Sequence, residues 1–214
     1  APIAFDGPIN ADGTGFEQLL SELVALRIDD AAGYGVYYYG LLAPAASAID
    51  YCTGGCVGGL SFKPGVLDDA WRCSVGVGHF PDGSHLDAPE VMAHELGHAH
   101  GLSHAPCGTP DAPPFPYPNG QIGVWGWDSA SGLSMPPAAY HDVMSYCGPS
   151  WISDVNYGQI WQRMQAVSGA LSVVAPNDPG RAPGRFRSVV LDRHGGPRWG
   201  PALQLARVGG DEFI

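Results

Sequence analysis

His94-Glu95-Leu96-Gly97-His98-Ala99-His100-Gly101-Leu102-Ser103-His104 gathers four imidazoles and one carboxylate into eleven residues. On a helix, residues four apart lie about 40° apart around the axis, so His94 and His98 present their rings to one point. Glu95 is displaced by about 100°, which lets it flank a metal held there and reach a water without being a ligand. Zinc that performs hydrolysis takes three protein ligands and keeps a fourth position open. His104 is the candidate third ligand, because Gly101 can adopt the left-handed conformation that turns the chain sharply out of the helix. His100 lies about 240° round from His94 and is expected on the outer face, outside the ligand set. These types and spacings suit hydrolysis at one zinc ion, with His94, His98 and His104 as ligands and Glu95 as general base and acid.

The run His-Glu-x-x-His-x-x-Gly-x-x-His resembles the long zinc-binding motif of the metzincin peptidases. His141-Asp142-Val143-Met144-Ser145-Tyr146 is similar to the Met-containing turn that those enzymes place beneath the metal. The resemblance covers residues 94–104 and 141–147, and the loop-rich interval between them looks like bacterial secreted members of the clan. It implies that Met144 is the Met of the turn and that Tyr146 is a movable fifth ligand and stabiliser of the tetrahedral intermediate. It also implies an α+β, zincin-like fold and a secreted zinc endopeptidase acting on proteins or peptides, glycoproteins among them. The substrate would lie extended against an edge strand, for which Cys73–Phe80 is the candidate. Some 40 Pro-rich residues separate His104 from Met144, so the specificity loops of better-known families do not carry over. Cys107 lies three residues after His104 and Cys147 three after Met144, so a Cys107–Cys147 disulfide is expected if both segments line the metal. The other three cysteines leave a choice between a small Cys52–Cys56 ring and a pairing of one of them with Cys73.

Positioning such a site takes a packed core, and the composition can build one: 214 residues, 45% apolar, with 6 Trp, 9 Tyr and 7 Phe. The 31 Gly and 20 Pro, without a repeat period, read as long structured loops. No stretch approaches the roughly 18 consecutive apolar residues of a membrane span. Residues 1–10 lack the basic-then-apolar pattern of a leader, so a secreted protein would already have lost one. The net charge of −11 is uneven: through residue 160 there are 17 acids against Arg27, Lys63 and Arg72, whereas from 161 onward there are 4 acids and 7 Arg. Nucleic acid is therefore excluded as a partner of the main body. A monomer is expected. Calcium has no supporting loop, since Asp29-Asp30 and Asp68-Asp69 lack the spaced series of an EF-hand and read as solvated turns.

The patterns predict a short strand at Ala1–Phe5, a helix at about 15–28 capped by Thr14, and a buried strand at 35–42. Two further strands are expected at 57–62 and 73–80. Asp87 can cap a helix that carries the His run and ends at Gly101. A strand at 122–127, a helix at 153–167 and short strands at 186–191 and 202–208 follow. The expected organisation is an N-terminal subdomain, residues 1–101, with a mixed sheet and two helices. A loop-rich C-terminal subdomain with one helix, 102–175, and a Pro/Gly/Arg-rich extension with short strands, 176–214, complete it.

A reading from another class is a zinc-stabilised module that binds glycoprotein or host protein without cutting it, through the aromatic segment 115–127. Glu95 weighs against it, because a structural zinc site is four-ligand and closed and has no use for a base.

Overall fold

The computed structural model describes residues 5–109, 111–174, 185–191 and 197–204. The described chain is α+β, with small sheets and four α-helices, and divides into two units, 1–172 and 173–214.

In the first unit, α1 (Phe16–Asp29) buries Phe16, Leu20, Leu23 and Val24. Its N-cap is Gly15 rather than Thr14. Asp12 accepts the Thr14 N–H at 2.9 Å, and the following residue takes a left-handed φ of 95° with no room for a β-carbon beside the Pro8 carbonyl. The stripe packs on a three-stranded mixed sheet of β1 (Tyr38–Leu42), β2 (Gly59–Ser61) and β3 (Cys73–Val77), in the order β1-β3-β2. β1 runs parallel to β3 with Tyr38 opposite Cys73, and β2 antiparallel with Leu60 opposite Val75.

Two expectations are corrected here. β3 is the central strand, buried at every residue, and not the edge. β1 is an edge strand, half-buried, with Leu41 64% exposed. The side chains of β3 explain its place. Cys73, Val75 and Val77 join the core with α1, while the small Ser74 and Gly76 face the other way and admit the helix that carries the His run. Between β1 and β2, the short α2 (Ala48–Tyr51) is capped by Ser47, whose Oγ accepts the Asp50 N–H. A Cys52–Cys56 disulfide follows. Cys73 is thereby left free and buried, its thiol pushed up to about 11 by burial.

α3 (Ala88–Ala99) lies across the Ser74/Gly76 face. Asp87 stands at its N-cap but is left-handed, φ 41°, and makes no side-chain cap. At the other end Gly101 has φ 94°, with Gly101 N–H donating to His98 O at 2.7 Å and Leu102 N–H to Gly97 O at 3.0 Å. The chain leaves the helix there and buries Leu102.

Beyond it, the strand expected at 122–127 is instead a hairpin of β4 (Gly126–Asp128) and β5 (Leu133–Met135), with Ile122 buried ahead of it. β6 (His141–Asp142) and β7 (Ser150–Trp151) pair in parallel on either side of the turn bearing Met144. α4 (Asp154–Val174) runs a turn or two past the expected end. The second unit is an antiparallel hairpin of β8 (Arg185–Leu191) and β9 (Pro197–Gln204), bulged between Arg187 and Val189. The strand expected at 202–208 starts earlier, at Pro197, and its last four residues lie outside those described, as do Ala1–Ala4 of the first expected strand.

Candidate metal centre

α3 supplies His94 and His98 one turn apart, their ring centroids 4.8 Å from each other. The turn at Gly101 returns the chain so that the His104 ring stands 4.7 Å from His98 and 5.3 Å from His94. One ligating atom from each of the three lies within 4.8 Å of the others.

The hydrogen bonds fix which atoms face inward. His94 Nδ1–H donates to Val143 O at 2.8 Å, His98 Nδ1–H to Leu102 O at 3.0 Å, and His104 Nδ1–H to Asp111 Oδ1 at 2.7 Å. Carbonyl and carboxylate oxygens only accept, so each Nδ1 carries a proton and each Nε2 is the atom left to face a metal. Burial holds His94 below the usual imidazole range and pushes His98 down to about 4, which keeps both neutral. The Nε2 atoms of His98 and His104 are 3.2 Å apart. Three imidazole nitrogens converging on one point form a donor set that fits a divalent metal, and three imidazoles suggest zinc.

Glu95 follows His94 and is 7% exposed. Among the described residues nothing hydrogen-bonds its carboxylate, and burial pushes it up to about 8. Gly59 of β2 makes room for it: a β-carbon there would stand 2.6 Å from Glu95 Cγ and 2.8 Å from Oε1. Tyr146, largely exposed, sets its hydroxyl 3.3 Å from His104 Nε2. Its phenol is raised by desolvation and then by the charges of Glu95 and Asp111.

Met144 is fully buried against Gly97, below the helical turn that carries the first two imidazoles. Ala105 N–H donates to Met144 O at 2.9 Å and Tyr146 N–H to Cys107 O at 3.0 Å, and a Cys107–Cys147 disulfide locks the two segments together. His94, Glu95, His98, His104, Met144 and Tyr146 thus come together around one point at the head of a cleft of about 490 Å³, bounded by Gly58 and Gly59 on one side and Tyr146 to Gly148 on the other.

Other histidines stay apart. The His100 ring is stacked on Tyr37, centroids 4.3 Å apart and parallel, and Nδ1–H donates to Leu96 O, so the residue expected on the outer face is half-buried against another ring. His79 and His85 bridge across an exposed turn. The aspartate pairs are engaged by the protein: Asp30 accepts from Tyr38 Oη–H, Asp68 from Gly65 N–H, and Asp69 lies 3.6 Å from Arg27.

Two residues escape the sequence reading. Asp111 orients His104, but it sits in a loop where no periodicity ties it to the ring. Asp142, within the quoted His141–Tyr146 stretch, is fully buried and accepts from Met144 N–H at 2.8 Å, Ser153 N–H at 2.8 Å and Asn156 Nδ2–H at 2.7 Å.

A family model described as Peptidase M66 matches residues 73–147, from β3 through α3 and His104 to Cys147. No curated protein and no solved structure matches the chain. The family match and the three-histidine cluster support a zinc-dependent peptidase, whose substrates are proteins or peptides.

Proposed function

We propose that this protein is a secreted zinc endopeptidase of metzincin type. The observation that carries the reading is the convergence of three imidazoles beside a buried Glu95 whose carboxylate no described residue hydrogen-bonds, at the head of a cleft. His94, His98 and His104 would hold the ion. When bound, zinc supplies a Lewis acid that polarises a carbonyl and acidifies water. Glu95 takes up the proton of the attacking water at its carboxylate and delivers it to the leaving amine. Its burial favours the protonated carboxyl, which suits it to holding the proton between the two transfers. Tyr146 donates its hydroxyl toward the oxyanion as charge develops. Met144 is the floor that keeps the α3 turn in place. The substrate backbone lies extended along β2, the edge strand bordering the cleft, rather than along β3.

Two disulfides, and the lack among the described residues of any helix long and apolar enough to cross a membrane, are consistent with an extracellular protein. The test is Glu95→Gln. It is expected to abolish chelator-sensitive cleavage of casein or gelatin while the variant still binds one zinc. A variant that cuts at the wild-type rate would refute the role of Glu95, and a zinc-loaded wild type that cuts nothing would favour the non-catalytic binding module.

A further inference from the structure

One charged side chain in the cleft has no part in the proposed reaction. Glu90 lies on α3 four residues before His94, hence on the same face of the helix one turn earlier, and it lines the cleft. Its carboxylate, on an exposed residue, accepts the Ser150 hydroxyl from β7, which fixes its direction. Among the described residues no Arg or Lys stands within ion-pair distance of it. The same cleft carries the aliphatic side chains of Val57, Leu86, Val91 and Val143.

A cleft with aliphatic side chains and a carboxylate lacking a cation is complementary to a side chain with an apolar stem and a positive tip. Lysine and arginine have that shape: the methylenes bury along the aliphatic walls and the head reaches the carboxylate as a charge-assisted donor. An apolar side chain of equal length would make no charge-assisted hydrogen bond to the carboxylate, and an acidic one would add repulsion. The net charge of this part of the chain acts in the same direction at long range, with 17 acids against three bases through residue 160.

We propose that this cleft selects a lysine or arginine side chain flanking the scissile bond, with Glu90 as the specificity-determining residue. The inference rests on the peptidase reading for its link to a scissile bond, although the pocket itself binds whether or not a bond is cut.

Two measurements test it on the full, zinc-loaded chain. First, kcat/KM is compared across fluorogenic peptides that differ only in Arg, Lys, Leu, Gln or Glu at the positions on either side of the cleaved bond, with product masses fixing that bond. Arg and Lys are expected to exceed Gln by tenfold or more with Glu the poorest. Glu90→Gln is expected to bring the Arg-to-Gln ratio close to one, and Glu90→Arg to invert the preference toward Glu. Second, anisotropy is read for Arg- and Gln-containing peptides on Glu95→Gln and on Glu95→Gln/Glu90→Gln. Tighter binding of the Arg peptide is expected in the first protein and not in the second. Equal kcat/KM for all peptides, or a basic preference that survives Glu90→Gln, would overturn the proposal. Glu90-dependent binding without any cleavage by the wild type would sustain the pocket and overturn the peptidase reading instead.

Discussion

The Met144 thioether lies against the backbone of Gly97 so closely that a β-carbon on that glycine would occupy the space of Sδ. Gly97 sits in the interior of α3, where glycine ordinarily costs about 1 kcal/mol relative to alanine. Gly97→Ala therefore opposes a helix-propensity gain of that size to an overpacking cost of about 1 to 3 kcal/mol, and Met144, fully buried, has nowhere to retreat. The clash wins. The variant is expected to be less stable to urea than the wild type and to bind zinc more weakly; equal or greater stability would show that Met144 yields freely.

Stability without metal should depend on pH through Glu95 and the imidazoles in opposite senses. Burial raises the Glu95 carboxyl from 4.5 to about 8, so the folded form prefers it protonated. That preference is fully present below pH 4.5 and is lost as pH rises through about 8. Burial lowers His98 from 6.5 to about 4 and His94 in the same direction, so the folded form prefers them neutral, and stability falls as pH drops below about 6.5. In chelator, Glu95→Gln is expected to match the wild type near pH 4.5 and to exceed it increasingly up to pH 8, by at most about 4 kcal/mol. Thermal melts across that range read the gap, and a gap that stayed constant with pH would contradict burial as the cause.

Asp111 is 71% exposed on its side chain, and an ordinary surface ion pair of that kind is worth little. Its partner is a metal-ligand candidate, however, and groups that orient a ligating imidazole are worth 10- to 100-fold in metal affinity. Asp111→Asn keeps an acceptor oxygen but loses the charge, and Asp111→Ala loses both. Zinc affinity by chelator competition is expected to fall in that order, by roughly tenfold and then more. An Ala variant with the wild-type affinity would reduce the contact to surface decoration.

The two disulfides close loops of very different length, with sequence separations of 40 for Cys107–Cys147 and 4 for Cys52–Cys56. In the chain-entropy model they contribute about 4 and about 2 kcal/mol. Only the longer one joins the His104 segment to Tyr146. Cys107→Ser/Cys147→Ser should lower the melting temperature more than Cys52→Ser/Cys56→Ser and, unlike it, should speed zinc release to a chelator. Equal zinc release from both variants would mean that the backbone hydrogen bonds at Ala105 and Tyr146 hold the segment unaided.

The site was more legible in the sequence than the sheet was. His94, Glu95 and His98 are bound to one another by helical geometry, and Gly101 marks the only cheap exit toward His104. β-strand position is different in kind. Cys73–Val77 reads as a strand from its own residues, but whether it lies at the edge or the centre depends on partners at Tyr38–Leu42 and Gly59–Ser61, which no local pattern encodes. Its Ser74 and Gly76 were the signal available, since small residues on one face of a strand admit a close helix. The hairpin at 126–135 was missed because its strands are three residues long and their burial does not alternate cleanly. His100 was misjudged for the same reason as β3: Tyr37, the ring it rests on, is distant in sequence.

The buried carboxylate of Asp142 draws two of its three donors, Ser153 N–H and Asn156 Nδ2–H, from beyond Cys147, where the family match ends. A fragment trimmed to the matched span would leave that carboxylate with one of its three donors, directly beside the methionine under the imidazoles. The smallest piece of this chain able to keep its three rings in register therefore extends at least into the opening turn of α4.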